Sequence, residues 1–150
     1  MAEKHKGGCQ CGAVRFEVIG PLGRASVCHC RMCQKAFGNV FAPLVSVREA
    51  DSFRWTKAEP ARFASSNLVR RGFCPACGTP LTYEAPDGMA VAIGAFDHPG
   101  VIVPDIEYGS EGRVAWFAHV NDWPSRTTQE DIDAAPFLDE LVSYQYPDED

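Results

Sequence analysis

Seven cysteines in three tight groups carry the most evident chemistry in this chain. Cys9 and Cys11 sit in "GGCQCG", Cys28, Cys30 and Cys33 in "SVCHCRMCQKAFG", and Cys74 and Cys77 in "FCPACGTPL". Seven is odd, so simple disulfide pairing leaves one thiol over. A structural zinc closes a tetrahedron of four ligands, whereas a catalytic zinc keeps three protein ligands and one open position. Four plus three is the division the count suggests. "CQCG" and "CPACG" both end in Cys-Gly, and a glycine there lets the backbone turn at positive φ and bring its N–H groups toward sulfur. Cys9, Cys11, Cys74 and Cys77 are therefore the expected closed set. They would pin the N-terminus to a hairpin more than sixty residues away, and closing so long a loop gives a metal leverage on stability.

Cys28, Cys30 and Cys33 lack that glycine and proline chemistry. In extended chain Cys28 and Cys30 point to one side, and a turn starting near Arg31 brings Cys33 round beside them. His29 then faces away, as a packing or hydrogen-bonding histidine. Spacing alone leaves other arrangements open. One is a single four-cysteine site with the remaining thiols merely buried; another is iron or a cluster, for which C-x-C is an unusual spacing. Three thiolates around Zn2+ leave one net negative charge, which makes a weak Lewis acid that is poor at ionising water. Such a site suits a soft incoming ligand, namely another thiol. The chemistry expected is at sulfur, or at the carbon attached to it.

The elements that must hold these groups are mostly strands. "AVRFEVIG" alternates, with Val14, Phe16 and Val18 on one face and Arg15 and Glu17 on the other. "FAPLVSV", "DSFRWT", "NLVRRGF", "PLTYEA", "MAVAIGAF" and "VAWFAHV" are short β-branched or aromatic runs bounded by Gly, Pro, Asp or Asn. The Asp-Gly pair in "APDGMA" signals a hairpin. Helix is scarce. "RMCQKAF" spans one or two turns, and "PFLDELVSYQY", opened by Pro136, gathers Phe137, Leu138, Leu141 and Val142 into a short C-terminal helix expected to pack on the sheet. The class is all-β, packed antiparallel sheets with short helical additions. Without repeats or linkers the 150 residues make one domain, with a core of about 7–123 and a C-terminal extension over 124–150.

A hydrophobic content of 45% and a charged content of 23% fit a soluble protein, and no apolar run is long enough to span a membrane. "MAEKHKGG" has no apolar segment after its lysines. A cytoplasmic, reducing compartment is therefore expected, where clustered cysteines are metal ligands or catalysts rather than disulfides. A net charge of −6, with no basic run longer than Arg70-Arg71, argues against a nucleic-acid partner. From Asp122 onward nine acidic residues face one basic residue, Arg126, in a solvated acidic tail. An anionic substrate must find a local positive patch.

"GGCQCGAVRFEV", "CHCRMCQKAFG", "RGFCPACGTPL", "IGAFDHP" and "AHVNDW" resemble, in order and spacing, the glutathione-dependent formaldehyde-activating enzyme family, whose domain is shared with centromere protein V. The resemblance runs from about Gly7 to about Trp123. It implies a β-tent of packed antiparallel sheets with two zinc ions per chain, the structural one on Cys9, Cys11, Cys74 and Cys77 and the catalytic one on Cys28, Cys30 and Cys33. It also implies condensation of formaldehyde with glutathione to S-(hydroxymethyl)glutathione, a carbon–sulfur lyase in reverse, with a small thiol and a small aldehyde or other electrophile as partners. No motif marks the rest of the thiol's contacts. Arg31 and Lys35 beside the reactive cluster, and Arg70 and Arg71 before the second knuckle, are candidates for glutathione carboxylates. Asn39 and Phe41 are candidates for the mouth of the site. His119 reads as a strand histidine, His98 and Asp97 as turn residues, and Trp116, Phe117 and Trp123 as core. The alternative function is a non-catalytic zinc scaffold that binds glutathione or a protein; an incomplete three-cysteine shell is the feature that argues against it.

Overall fold

A small sheet and a large one share one core. The protein is described over residues 1–148 by a computed structural model. Strands β1 (Lys4–Gly8), β2 (Arg15–Ile19) and β5 (Phe53–Trp55) make the small sheet, in the order β1-β2-β5. The large sheet contains β3 (Ala25–Cys28), β4 (Ala42–Ser46), β6 (Ala61–Ala64), β7 (Arg70–Phe73), β8 (Pro80–Ala85), β9 (Gly88–Ala92) and β10 (Ile106–Tyr108). Its order is β10-β3-β4-β9-β8-β7-β6, antiparallel except where β10 runs parallel to β3. The all-β class holds. "RMCQKAF" forms helix α1 (Arg31–Phe37), closed by Gly38 at φ 58.

Phe16 of β2 is the hinge of the core. Its ring stacks on Phe53 at 5.5 Å and meets Trp55 and Phe96 edge-on at 6.1 and 5.1 Å. Phe96 arrives from the segment after β9, so this aromatic cluster clamps the small sheet onto the large one. Gly7 permits the approach: it bridges to Phe96, and a Cβ there would overlap the Phe16 ring and the Ala95 carbonyl.

The alternation of β2 is as expected, but its second face is not solvent. Arg15 and Glu17 are buried. Arg15 Nη1 and Nη2 donate to the two carboxylate oxygens of Asp97 at 2.8 and 2.7 Å. Glu17 accepts from Arg54 at 2.5 Å and lies 3.5 Å from the Lys4 ammonium. Charges at such depth survive only when paired, so Asp97 is a buried counter-ion rather than a simple turn residue. The hairpin between β8 and β9 forms as expected, although Pro86 and Asp87 make the turn and Gly88, at φ 143, opens β9 opposite Ala85.

Two expectations fail beyond β10. "VAWFAHV" is not a strand but a 3-10 helix over Ala115–Asp122. Phe117 and Val120 are spaced by three, the period of that helix. Trp116 and Trp123 lean on one another at 5.6 Å and stay half-exposed, while His119 is exposed beside Asp122. Only Phe117 of the three expected core aromatics is turned inward. The C-terminal helical addition exists, but its α-helix is α2 (Thr128–Ala134), started by a capping box of Thr127 and Glu130. Pro136–Glu140 is one 3-10 segment, and Phe137, Leu141 and Val142 are exposed rather than packed on the sheet. The chain then returns to the body. The Tyr146 N–H donates to the Gln10 carbonyl at 2.7 Å, its ring covers Gly12, and the Lys57 ammonium lies 4.2 Å from the ring centre. Among the described residues no helix is long and apolar enough to cross a membrane.

Candidate functional site

The closed cluster joins the end of β1 to the β7–β8 hairpin. The sulfurs of Cys9, Cys11, Cys74 and Cys77 lie within 4.8 Å of one another, with Cys9–Cys11 at 3.6 Å and Cys11–Cys74 at 3.8 Å. A tetrahedral metal with 2.3 Å bonds sets sulfurs about 3.8 Å apart, so the four fit one ion. The glycines after each pair turn as their place requires, Gly12 at φ 77 and Gly78 at φ 81. The Val14 N–H points at the Cys9 sulfur at 3.3 Å. Burial pushes the Cys74 thiol up to about 12. At Cys77 burial pulls the same way, but the Thr79 hydroxyl at 3.2 Å and neighbouring donors outweigh it and bring the thiol down to about 6. A cation bound among four thiolates this close would offset their mutual repulsion.

The open cluster is set by the junction of β3 and α1. Cys28 ends β3, and Cys30, extended at φ −63 and ψ 153, caps α1 by accepting the Cys33 N–H on its sulfur at 3.4 Å. The three sulfurs lie within 4.8 Å of one another. Among the described residues no fourth cysteine, histidine or carboxylate joins them. Cys33 is buried, whereas Cys28 and Cys30 are half-buried. Burial drives the Cys28 thiol up to about 12; at Cys30 burial is overcome by donors including the Cys33 N–H, and the thiol falls below its ordinary value.

His29 faces away from the sulfurs, as expected, and is fully buried. Its Nε2 lies 3.0 Å from the Glu107 carboxylate, which also pairs with Arg113. Its ring packs against Phe41 and Phe117, and the His29 backbone N–H donates to the Tyr108 carbonyl at 2.9 Å. His29 thus pegs the cluster to β10 rather than binding a metal. Phe41 is taken up by this packing and Asn39 accepts the Val40 N–H, so neither lines the mouth.

A cleft of about 410 Å³ opens onto Cys28, Cys30 and Cys33. Arg71, Tyr83 and Tyr108 line it, together with apolar Met32, Leu44 and Met89. Of the four basic candidates only Arg71 is there. Its Nη2 donates to the Cys33 sulfur at 3.3 Å. Arg31 is tied to Gln34 at 2.6 Å along α1, Lys35 lies on the exposed side of that helix, and Arg70 pairs with Glu84. Adjacent strand residues point to opposite faces, which is why Arg70 and Arg71 part company. Tyr83, Tyr108 and the two methionines carry no signal in the sequence. Tyr83 reaches the site because it stands opposite Arg71 in the β7–β8 register.

Residues 4–110 match the model of the glutathione-dependent formaldehyde-activating enzyme family. The chain belongs to this family. The matched span holds all seven cysteines and Arg71, and it ends before "AHVNDW", so the family segment stops short of Trp123. The crystal structure of a Rhodobacter sphaeroides protein is similar, with a TM-score of 0.52 and 20% identity over 68% of this chain and 98% of that one. That likeness shows the fold alone. Both cysteine clusters of this family member can hold a metal ion.

Proposed function

We propose that the protein is a zinc-dependent carbon–sulfur lyase that joins a thiol to a small aldehyde and reverses that step. Glutathione and formaldehyde are the pair, as the family description names them. One observation carries this reading: a three-sulfur group opens into a cleft, whereas a separate group gathers four sulfurs. In this reading Cys9, Cys11, Cys74 and Cys77 hold a structural zinc, and Cys28, Cys30 and Cys33 hold a catalytic one. A zinc ion held by three thiolates offers one position to a thiol and favours its deprotonated form.

The reaction forms one carbon–sulfur bond. The substrate sulfur gives its electron pair to the aldehyde carbon, the C=O π pair moves onto oxygen, and that oxygen takes up the proton the thiol has lost. The product is a hydroxymethyl thioether, and the lyase direction reverses each move. The chain's part is to hold three sulfurs on a rigid strand–helix corner, buried at Cys33 and open at Cys28 and Cys30. The apolar walls of Met32, Leu44 and Met89 keep water scarce beside the reacting carbon.

The test counts zinc per chain on protein purified without added metal, before and after mild chelation, then assays thiol–aldehyde pairs with the spontaneous reaction subtracted. Two zincs, one lost readily together with activity, are expected. Two zincs with no rate above the spontaneous one would instead mark a scaffold.

A further inference from the structure

We propose that Arg71 is the counter-charge of the open cluster, a positioning residue that sets how tightly Cys28, Cys30 and Cys33 hold their metal. The inference rests on the three-thiolate reading above. Arg71 is 4% exposed, and a guanidinium taken so far from water is costly unless an anion answers it. Among the described residues no carboxylate does. Glu84, the acid closest in the strand register, is engaged by Arg62 and Arg70. The Arg71 Nε donates to the neutral Ser65 hydroxyl at 2.9 Å, and the guanidinium carbon stands 5.1 Å from the centre of the Tyr83 ring. The Tyr83 ring thus offers the guanidinium a π face and not a carboxylate.

What remains is sulfur. Nη2 donates to Cys33 at 3.3 Å, and Nη1 is buried with no hydrogen-bond partner. A divalent cation with three thiolates carries one negative charge, and one guanidinium beside it makes the assembly neutral. A substrate thiolate in the fourth position would add another negative charge, with Arg71 already lining the cleft to meet it. An N–H on the Cys33 sulfur also favours its thiolate form and fixes its orientation, as outer partners of metal ligands commonly do. Arg71 is therefore committed to the metal shell and does not serve as a clamp for a glutathione carboxylate.

The experiment titrates zinc-loaded protein with a chromophoric chelator and follows both zincs, in the wild type, Arg71→Lys and Arg71→Met, with thermal melting alongside. In Arg71→Met the weakly held zinc should bind about 10- to 100-fold less tightly, with the tightly held zinc unchanged. Arg71→Lys keeps the charge and should recover part of that loss. An unchanged weak site in Arg71→Met overturns the proposal. Equal losses in both variants, tracking a lower melting temperature, overturn it too, because Arg71 would then be only a tie between β7 and α1. A wild-type chain with a single zinc refutes the three-thiolate reading itself, so the two failures are told apart.

Discussion

Replacing one thiol in each cluster should have opposite consequences. With a metal bound, the closed cluster would act as a cross-link between Cys11 and Cys74, which are 63 residues apart. Restricting a loop of that length in the unfolded chain stabilises the fold by about 4 kcal/mol. Cys77→Ser opens the shell and loses that constraint. For a chain of this size each kcal/mol moves the melting temperature by about 2–4 °C, so the expected drop is about 8–16 °C. Cys30→Ser touches a cluster whose three thiols span only one strand end and one helix turn, both held by their own hydrogen bonds. It should fold with a small melting shift and lose thiol–aldehyde turnover. Calorimetric melts of the zinc-loaded variants, paired with the activity assay, decide the matter. A Cys77→Ser protein that melts with the wild type, or a Cys30→Ser protein that falls as far as Cys77→Ser, would refute the partition.

Three further outcomes are expected. Asp97→Ala removes the carboxylate that both Arg15 Nη atoms donate to in the core and should cost about 3–5 kcal/mol in urea unfolding; a loss below about 1 kcal/mol would mean the pair contributes little. The Arg54 hydrogen bond, acting against burial, holds Glu17 below its ordinary value of 4.5. Its stabilisation is complete above that value and disappears as pH falls through the lower, folded one, so Glu17→Gln should flatten the acid limb of the stability curve. Tyr146→Ala removes the ring that Lys57 and Arg15 cover, and should cost about 1 kcal/mol while exposing the last residues to faster proteolysis; an unchanged cleavage rate would show that the tail is held elsewhere.

The cysteine clusters were legible in the sequence because their signals are local: cysteine number, the Cys-Gly turns, and an extended C-x-C running into a short helix. The strands were legible for the same reason, since period two is written along each segment. What escaped depends on distance. Asp97 finds Arg15 across 82 residues, and His29 finds Glu107 across 78. Arg71 reaches the cleft with Tyr83 through a strand register that no single segment specifies. "VAWFAHV" misleads because apolar content does not choose between strand and 3-10 helix without a partner strand to pair with. The residues after Pro136 carry an apolar stripe but meet no face to cover, and the capping box in "TTQE" that starts α2 is a local signal the expectation passed over.

Strand β7 ends at Phe73, one residue before Cys74. The arginine beside the open cluster and the first thiol of the C-x-x-C pair are thus three positions apart on one stretch of backbone. The β7–β8 hairpin that Cys74 begins, together with the β6–β7 pairing and the Ser65 hydroxyl, holds Arg71 against Cys33. Under metal scarcity the chain would reach its shape before its chemistry, leaving a folded population that waits for a second ion.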